Sequence, residues 1–388
     1  METIIPFTPE FGEAEVEDLR RRVAGARWPA RETVQGWEQG VPTDYLRGLV
    51  DYWANDYDWA AANQRLRRLP QFRTTIDGLD IHFAHVPSPV PTARPLILTH
   101  GWPGSYLEFL EVAERLADPG ADAFHVVIPS LPGFGFSEQP AERGWNAGRI
   151  ADAWVELMRR LGYQRFYAQG GDLGFVVSLA LAQRHPERVR AIHLNFWVSG
   201  ADPSAELAGF GELTEEEHRY VGKARHLWAR EVAYSMLQSS KPQTIGHSLA
   251  DTPVGQCAWI IEKFHGWTDN TGVPESAISR DRLLDNIGLY WFGNLGASSA
   301  RLYWESTDAA VADHSAVTVP TGYTVFPAEI LAASERWTRL RFTDLRYYSQ
   351  AVRGGHFAAM EVPDLFTDEV RAAFRTIEAA SPTGLFGG

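Results

Sequence analysis

Between residues 81 and 196, short β-type runs alternate with amphipathic helical stretches, and no other feature of this chain restricts its fold so strongly. The runs are IHFAHV (81–86), PLILTH (95–100), FHVVIP (124–129), RFYAQ (165–169) and VRAIHLNF (189–196). Apolar residues at helical spacing fill Leu107–Leu116, Arg149–Leu161 and Leu173–Gln183 between them. Alternation of this kind builds βαβ units on a mostly parallel sheet, so the fold class is α/β. It stops near residue 200, where the chain turns polar, helical and Trp-rich, with TEEEHRYVGKARHLWAREVAYSMLQ as its clearest helix. It resumes at TGYTVF (321–326) and LRYYSQAV (345–352) and ends in a helix over Asp368–Ala379. A sheet interrupted and then resumed predicts a core carrying a helical lid.

The residues before the first run read as helical. Val16, Leu19 and Val23 recur at helical spacing, Thr43 is placed to cap a helix carrying Leu46, Leu49, Val50 and Trp53, and DWAAANQRLRRL (58–69) follows, closed by Pro70. The predicted organisation is an N-terminal helical extension over 1–75, core over 76–200, lid over 201–316 and core again over 317–388.

The composition excludes several kinds of partner. A net charge of −13 argues against nucleic acid and against anionic membrane surfaces. Cys257 is the sole cysteine, which excludes an intrachain disulfide and a thiolate-rich metal site. No run comes near the roughly 18 consecutive apolar residues of a spanning helix, and METIIPFTPEFGEAEVEDL is not a secretory signal. A cytoplasmic enzyme acting on a small molecule, with no metal and no cofactor, is the expectation.

AQGGDLG (168–174) lies where a strand passes into a helix. It has the form of a nucleophile elbow, small-x-nucleophile-x-small, with Asp172 where serine usually stands. The helix beginning there favours an anion and helps keep Asp172 ionised. An elbow needs oxyanion donors from the residue after the nucleophile and from the loop after an earlier strand. Leu173 and Trp102, the latter in HGWPGS (100–105), supply these backbone N–H groups. A base and its orienting acid should follow in that chain order. His356, in RGGHFAAME, and Glu329, in VFPAEI, both follow strands, where open α/β sheets place their sites. Asp344 is a rival acid, but it begins a strand instead of ending one.

A carboxylate in the elbow selects the bond under attack. Serine attacking a saturated carbon would leave an ether, which water does not release at neutral pH. Aspartate attacking the same carbon leaves an ester whose carbonyl belongs to the enzyme. A water activated by His356 can then cut it, with Glu329 fixing the tautomer. Hydrolysis at a saturated carbon follows, with an epoxide oxygen or a halide as leaving group. Of the many lid tyrosines, Tyr234 and Tyr303 do not stand out by pattern alone.

The chain resembles the microsomal-type and juvenile-hormone epoxide hydrolases, within the α/β-hydrolase fold. The likeness runs through ARWPA, GWEQG, YWANDYDW, QFRTTIDGLDIHFAHV, HGWPGS, QGGD, SKPQTIGHSLADTPVGQCAWIIEKFHGWTD and GGHFAAME. It implies a chain that opens a hydrophobic, aryl-bearing epoxide to a vicinal diol. In that reading Asp172 is nucleophile, His356 base and Glu329 its acid, Tyr234 and Tyr303 are proton donors from the lid, and Trp102 lies against the substrate. The family commonly has Trp after the nucleophile; Leu173 keeps the backbone donor and changes the pocket wall. The membrane-anchoring helix of animal members is absent from the sequence. The resemblance leaves room for a homodimer, and members of this type also act in enediyne antibiotic biosynthesis.

Three other readings compete. A haloalkane dehalogenase also uses an elbow aspartate, but usually with a halide-binding Trp where Leu173 stands. A serine esterase would use Ser248 in GHSLA (246–250), which lies inside the insert. A small-molecule receptor on the same fold would bind without turnover.

Overall fold

Strand β4 (Arg94–Thr99) lies between β5 (Phe124–Pro129) and β6 (Phe166–Gly170), and the chain's strand order reverses there. Nine strands form one sheet in the order β1-β2-β3-β5-β4-β6-β7-β8-β9. The others are β1 (Ile5–Phe7), β2 (Gln71–Ile76), β3 (Leu79–Val86), β7 (Val189–Leu194), β8 (Thr321–Val325) and β9 (Leu345–Gln350). Pairing is antiparallel from β1 to β5 and parallel from β5 to β9. Ligands of such sheets bind beyond the carboxyl ends of the strands where the order reverses, which here means the loops after β4 and β6. This computed structural model describes residues 3–120, 122–198, 211–306 and 315–380.

The central strands read as unbroken apolar runs because helices cover both faces. Leu96, Ile97 and Leu98 of β4 and Val126, Val127 and Ile128 of β5 are all fully buried. Burying each such side chain is worth about 1.5–3 kcal/mol. Helix α4 (Leu110–Ala117) packs on β5, and α5 (Ala147–Arg160) turns Ile150, Trp154, Leu157 and Met158 inward, starts on the Asn146 side chain accepting from Arg149 N, and packs on the helix that follows β6.

The N-terminal block contains three helices, α1 (Glu13–Ala24), α2 (Thr43–Asn55) and α3 (Trp59–Leu66). It also contributes β1 and β2, so the region is not helical throughout as the periodicity suggested. β1 is three residues long and β2 does not alternate in burial, so neither carries a period-2 signal. Both exist through pairing, β2 joining β3 in a register that sets Phe72 opposite Phe83. Pro42, not Thr43, occupies the cap position of α2, while the Asp58 side chain caps α3 by accepting from Ala61 N at 2.9 Å.

Between β7 and β8 lie the lid helices. The segment expected as one long helix is three pieces: an α-helix over Glu215–His226, a π-turn over Leu227–Glu231 and a second α-helix over Ala233–Ser240. The first starts on a capping box between Thr214 and Glu217. Further helices cover Pro242–Asp251, Pro253–Trp267, Arg280–Phe292 and Gly296–Ser306. The N-terminal block grips the Arg280–Phe292 helix: Arg65 Nε donates to Asp285 Oδ2 at 2.6 Å, and the Tyr57 hydroxyl donates to the same carboxylate. Among the described residues no helix is long and apolar enough to cross a membrane.

Candidate active site

Asp172 sits at the tip of the turn from β6 into α6 (Leu173–Arg184), with φ 50° and ψ −125°. A non-glycine residue at positive φ is strained and persists where the surroundings hold it. Those surroundings leave no room to spare. A Cβ at Gly174 would meet the carbonyl of Thr99 on β4, and a Cβ at Gly101 would collide with the Asp172 carboxylate itself. Glycine at both places lets the loop after β4 close onto the elbow.

The two oxygens of Asp172 have different partners. Trp102 N donates to Oδ1 at 2.8 Å. His356 Nε2 stands 3.5 Å from Oδ2. On its other side His356 Nδ1 meets Glu329 Oε1 at 2.7 Å, and that oxygen also accepts from Ile330 N at 2.7 Å. Leu173, the other expected donor, is the first residue of α6, so its N–H is one of the four at that terminus without an intrahelical acceptor. Burial opposes charging of His356, but the Glu329 carboxylate and the hydrogen bond to Asp172 outweigh it and hold the imidazole well above its ordinary range. The acidic groups on its two sides thus favour the protonated imidazole.

Tyr234 and Tyr303 reach the same place from two lid helices. The Tyr234 ring stacks on Trp102 with centroids 4.9 Å apart and planes 10° apart, and Tyr303 meets Trp102 edge-on at 6.0 Å. The two phenol rings are 6.0 Å apart, and Trp267 adds a wall 5.1 Å from Tyr234 and 5.0 Å from His356. Burial raises both phenols far above the usual tyrosine range, and the negative charge of Asp172 adds to this in each. Both therefore keep their protons at any ordinary pH.

The structure thus brings Asp172, His356, Glu329, Trp102, Leu173, Tyr234 and Tyr303 together. It sets the rivals apart. Asp344 pairs with Arg346 at 2.8 Å near the opposite end of β9 from His356. Ser248 is exposed in the middle of the Pro242–Asp251 helix, with none of the geometry of an elbow.

Other residues of the site carried no signal in the sequence. A cavity with room for water-sized spheres over about 20 Å³ adjoins Asp172 and His356, walled also by Glu108, Gln169 and Asn195. That space holds about one water molecule. Gln169 Nε2 donates to Asn195 Oδ1 at 2.8 Å. Burial pushes the Glu108 carboxyl up to about 8, with His356 pulling the other way. Its side chain folds over Gly104, where a Cβ would collide with it. Glu108 stands eight residues after His100 in the HGWPGS loop, and only that closeness marked it.

Comparison with known proteins agrees with this geometry. Residues 4–109 match the family described as "Epoxide hydrolase N terminus", and residues 94–204 match "alpha/beta hydrolase fold". A protein of Stigmatella aurantiaca that bears an epoxide hydrolase name is 48% identical over 97% of this chain and 86% of its own. Epoxide hydrolase 1 of Sus scrofa is 37% identical over 97% and 90%. The crystal structure of juvenile hormone epoxide hydrolase from Bombyx mori superimposes with a TM-score of 0.91 at 32% identity, covering 98% of this chain and 96% of that one. With relatives this similar along nearly its whole length, the chain belongs to the epoxide hydrolase family, an enzyme on the α/β-hydrolase fold.

Proposed function

We propose that this enzyme opens a bulky, aryl-bearing epoxide to a vicinal diol through an ester on Asp172. The observation that supports the reading is the division of labour at one carboxylate: Oδ1 is held by Trp102 N, Oδ2 faces His356, and the rings of Tyr234 and Tyr303 pack against Trp102 beside it. Tyr234 and Tyr303 hold the epoxide oxygen. Oδ2 attacks a ring carbon, the C–O bond breaks, and the departing oxygen takes a phenol proton. Four aromatic side chains (Trp102, Tyr234, Trp267 and Tyr303) supply flat apolar walls suited to an aryl group.

The second step follows from charge. An ester on Asp172 is neutral, so His356 loses one of the two anions that hold its proton. That proton is released and makes good the phenol. Neutral His356, oriented by Glu329, then takes a proton from a water in the cavity beside Glu108. The hydroxide attacks the ester carbonyl, and Trp102 N and Leu173 N hold the oxyanion that forms on Oδ1. Collapse expels the diol, which takes its proton from His356.

A dehalogenase would share the first attack. It needs an N–H donor aimed at the halide, whereas Leu173 offers an alkyl side chain and the phenols offer protons that a halide does not need. The test is a single turnover of styrene oxide in ¹⁸O-water. The label should enter the Asp172 carboxylate and be absent from the first diol. His356→Gln should accumulate protein heavier by one substrate, with the added mass on Asp172. Label appearing directly in the first diol would overturn the ester route.

A further inference from the structure

Lys263 is one of three lysines in the chain and is 4% exposed. It lies on the helix Pro253–Trp267, one turn before Trp267, and its ammonium points toward the nucleophile's aromatic surroundings instead of solvent. Nζ lies 4.6 Å from the centroid of the Tyr234 ring and 5.6 Å from that of Trp267, and the Glu262 carboxylate stands 2.5 Å from it. A long, rotamer-rich side chain is rarely kept under cover in this way, because burying it costs entropy and hydration. A charge placed over an aromatic ring in a dry site recovers part of that cost.

We propose that Lys263 is a positioning residue for the first chemical step: its ammonium, held over the Tyr234 ring, stabilises the phenolate left when Tyr234 gives its proton to the opening epoxide. The inference rests on the reading of the lid phenols as proton donors. In the balance of that step the Asp172 oxygen forms the new bond to carbon. The carbon–oxygen pair stays on the epoxide oxygen, which takes the Tyr234 proton. Negative charge therefore leaves the carboxylate and reappears on the Tyr234 ring and oxygen. It moves toward Lys263. A cation that interacts modestly with a neutral ring interacts far more strongly with an anionic one, so its effect grows from ground state to transition state, as a rate effect requires. The Tyr303 ring meets that of Tyr234 edge-on at 6.0 Å and closes the other side of the site. The cation lies over the Tyr234 ring, and this marks Tyr234 as the phenol that ionises.

The test is a pre-steady-state double-mutant cycle with styrene oxide, reading formation and hydrolysis of the ester separately by rapid quench and intact mass. Lys263→Met is expected to slow ester formation roughly tenfold, leaving ester hydrolysis and the half-saturating substrate concentration of the burst unchanged. Lys263→Arg should restore most of the rate. In a Tyr234→Phe background Lys263→Met should cause no further slowing. Three results would overturn the proposal: ester formation within twofold of the parent in Lys263→Met, equal slowing with and without the Tyr234 hydroxyl, or parallel loss in ester hydrolysis. Should Lys263→Met fail to fold, Lys263→Gln enters the same cycle with the same outcomes. The two readings fail separately. If Tyr234→Phe itself leaves ester formation intact, the phenol reading falls; if Tyr234→Phe is slow and Lys263→Met is not, only the role of Lys263 falls.

Discussion

Asn286 in the lid donates through Nδ2 to the carbonyl of Pro103 in the core at 2.7 Å. Its Oδ1 accepts from Ser105 Oγ at 2.8 Å, and one turn later Tyr290 donates to Gly104 O at 2.8 Å. Three bonds from one lid helix therefore fix the loop whose Trp102 N–H holds Asp172. The same pattern repeats around the site. His356 N donates to the carbonyl of Trp267, the last residue of its lid helix, at 2.9 Å. Lys223 Nζ donates to the carbonyls of Pro327 and Glu329 at 2.6 and 3.1 Å. The lid is a scaffold for the catalytic loops as well as a roof. The N-terminal block, gripping the Asn286 helix through Asp285, belongs to that scaffold.

Asn286→Ala leaves a buried carbonyl and a buried hydroxyl without their partner. A loss of about 1–3 kcal/mol in stability is expected. In the proposed route Trp102 N serves attack and hydrolysis alike, so both ester formation and ester breakdown should slow, by about an order of magnitude or more. Thermal unfolding and rapid-quench kinetics check this; a variant that is destabilised yet chemically unimpaired would detach the loop's anchoring from catalysis.

Lys223→Met removes both bonds to the Glu329 loop while keeping the alkyl packing. In the proposed route Glu329 acts through His356, and His356 acts as base only on the ester. The expected result is a several-fold slower ester hydrolysis with ester formation untouched, so that the ester accumulates in the steady state. Intact-mass measurement during turnover reads this directly.

How much of this was legible before folding depends on where the information lies. Asp172, His356 and Glu329 follow strands whose apolar runs are plain in the sequence, so their placement could be argued from topology. The roles proposed for Trp102 and Leu173 rest on backbone N–H groups, and the elbow alone implied them. Tyr234 and Tyr303 lie on two lid helices far apart in sequence, and only family resemblance singled them out. Glu108, Asn286 and Lys263 are polar residues on helical segments, where the default expectation is a solvated face. Tertiary packing buries them, and no local period records that. The π-turn at Leu227–Glu231 has the same origin, since the residues around it look helical throughout.

The pH dependence of the two chemical steps should differ. In the proposed route ester hydrolysis needs neutral His356, so its rate should fall about tenfold per pH unit below the pKa that His356 has in the ester form. Ester formation does not draw a proton to His356 and should be flat over the same acid range. Rapid-quench measurements from pH 5 to pH 9 separate the limbs; an acid limb on ester formation of equal steepness would mean that His356 acts in the first step.

Glu108 offers a stability test that is independent of turnover. Burial raises its carboxyl from the ordinary 4.5 to about 8. The folded protein therefore holds a proton that the unfolded chain releases above pH 4.5. Folding stability from this group is fully present below pH 4.5, declines as pH rises toward about 8 and is lost above it. A tenfold difference in proton affinity between the folded and unfolded chain is worth about 1.4 kcal/mol, so the effect is on the order of several kcal/mol. Glu108→Gln carries no titrating proton and should lose this decline, melting above the parent at pH 9 and not at pH 4. Glu361, raised to about 7 by burial, contributes a slope in the same direction, but it is common to both proteins and cancels in their difference. The same variant reports on water placement. Gln keeps a donor and an acceptor in the cavity, so ester hydrolysis should slow by less than in Glu108→Ala, where the wall is removed. Equal melting differences at the two pH values would show that Glu108 keeps an ordinary carboxylate despite its burial.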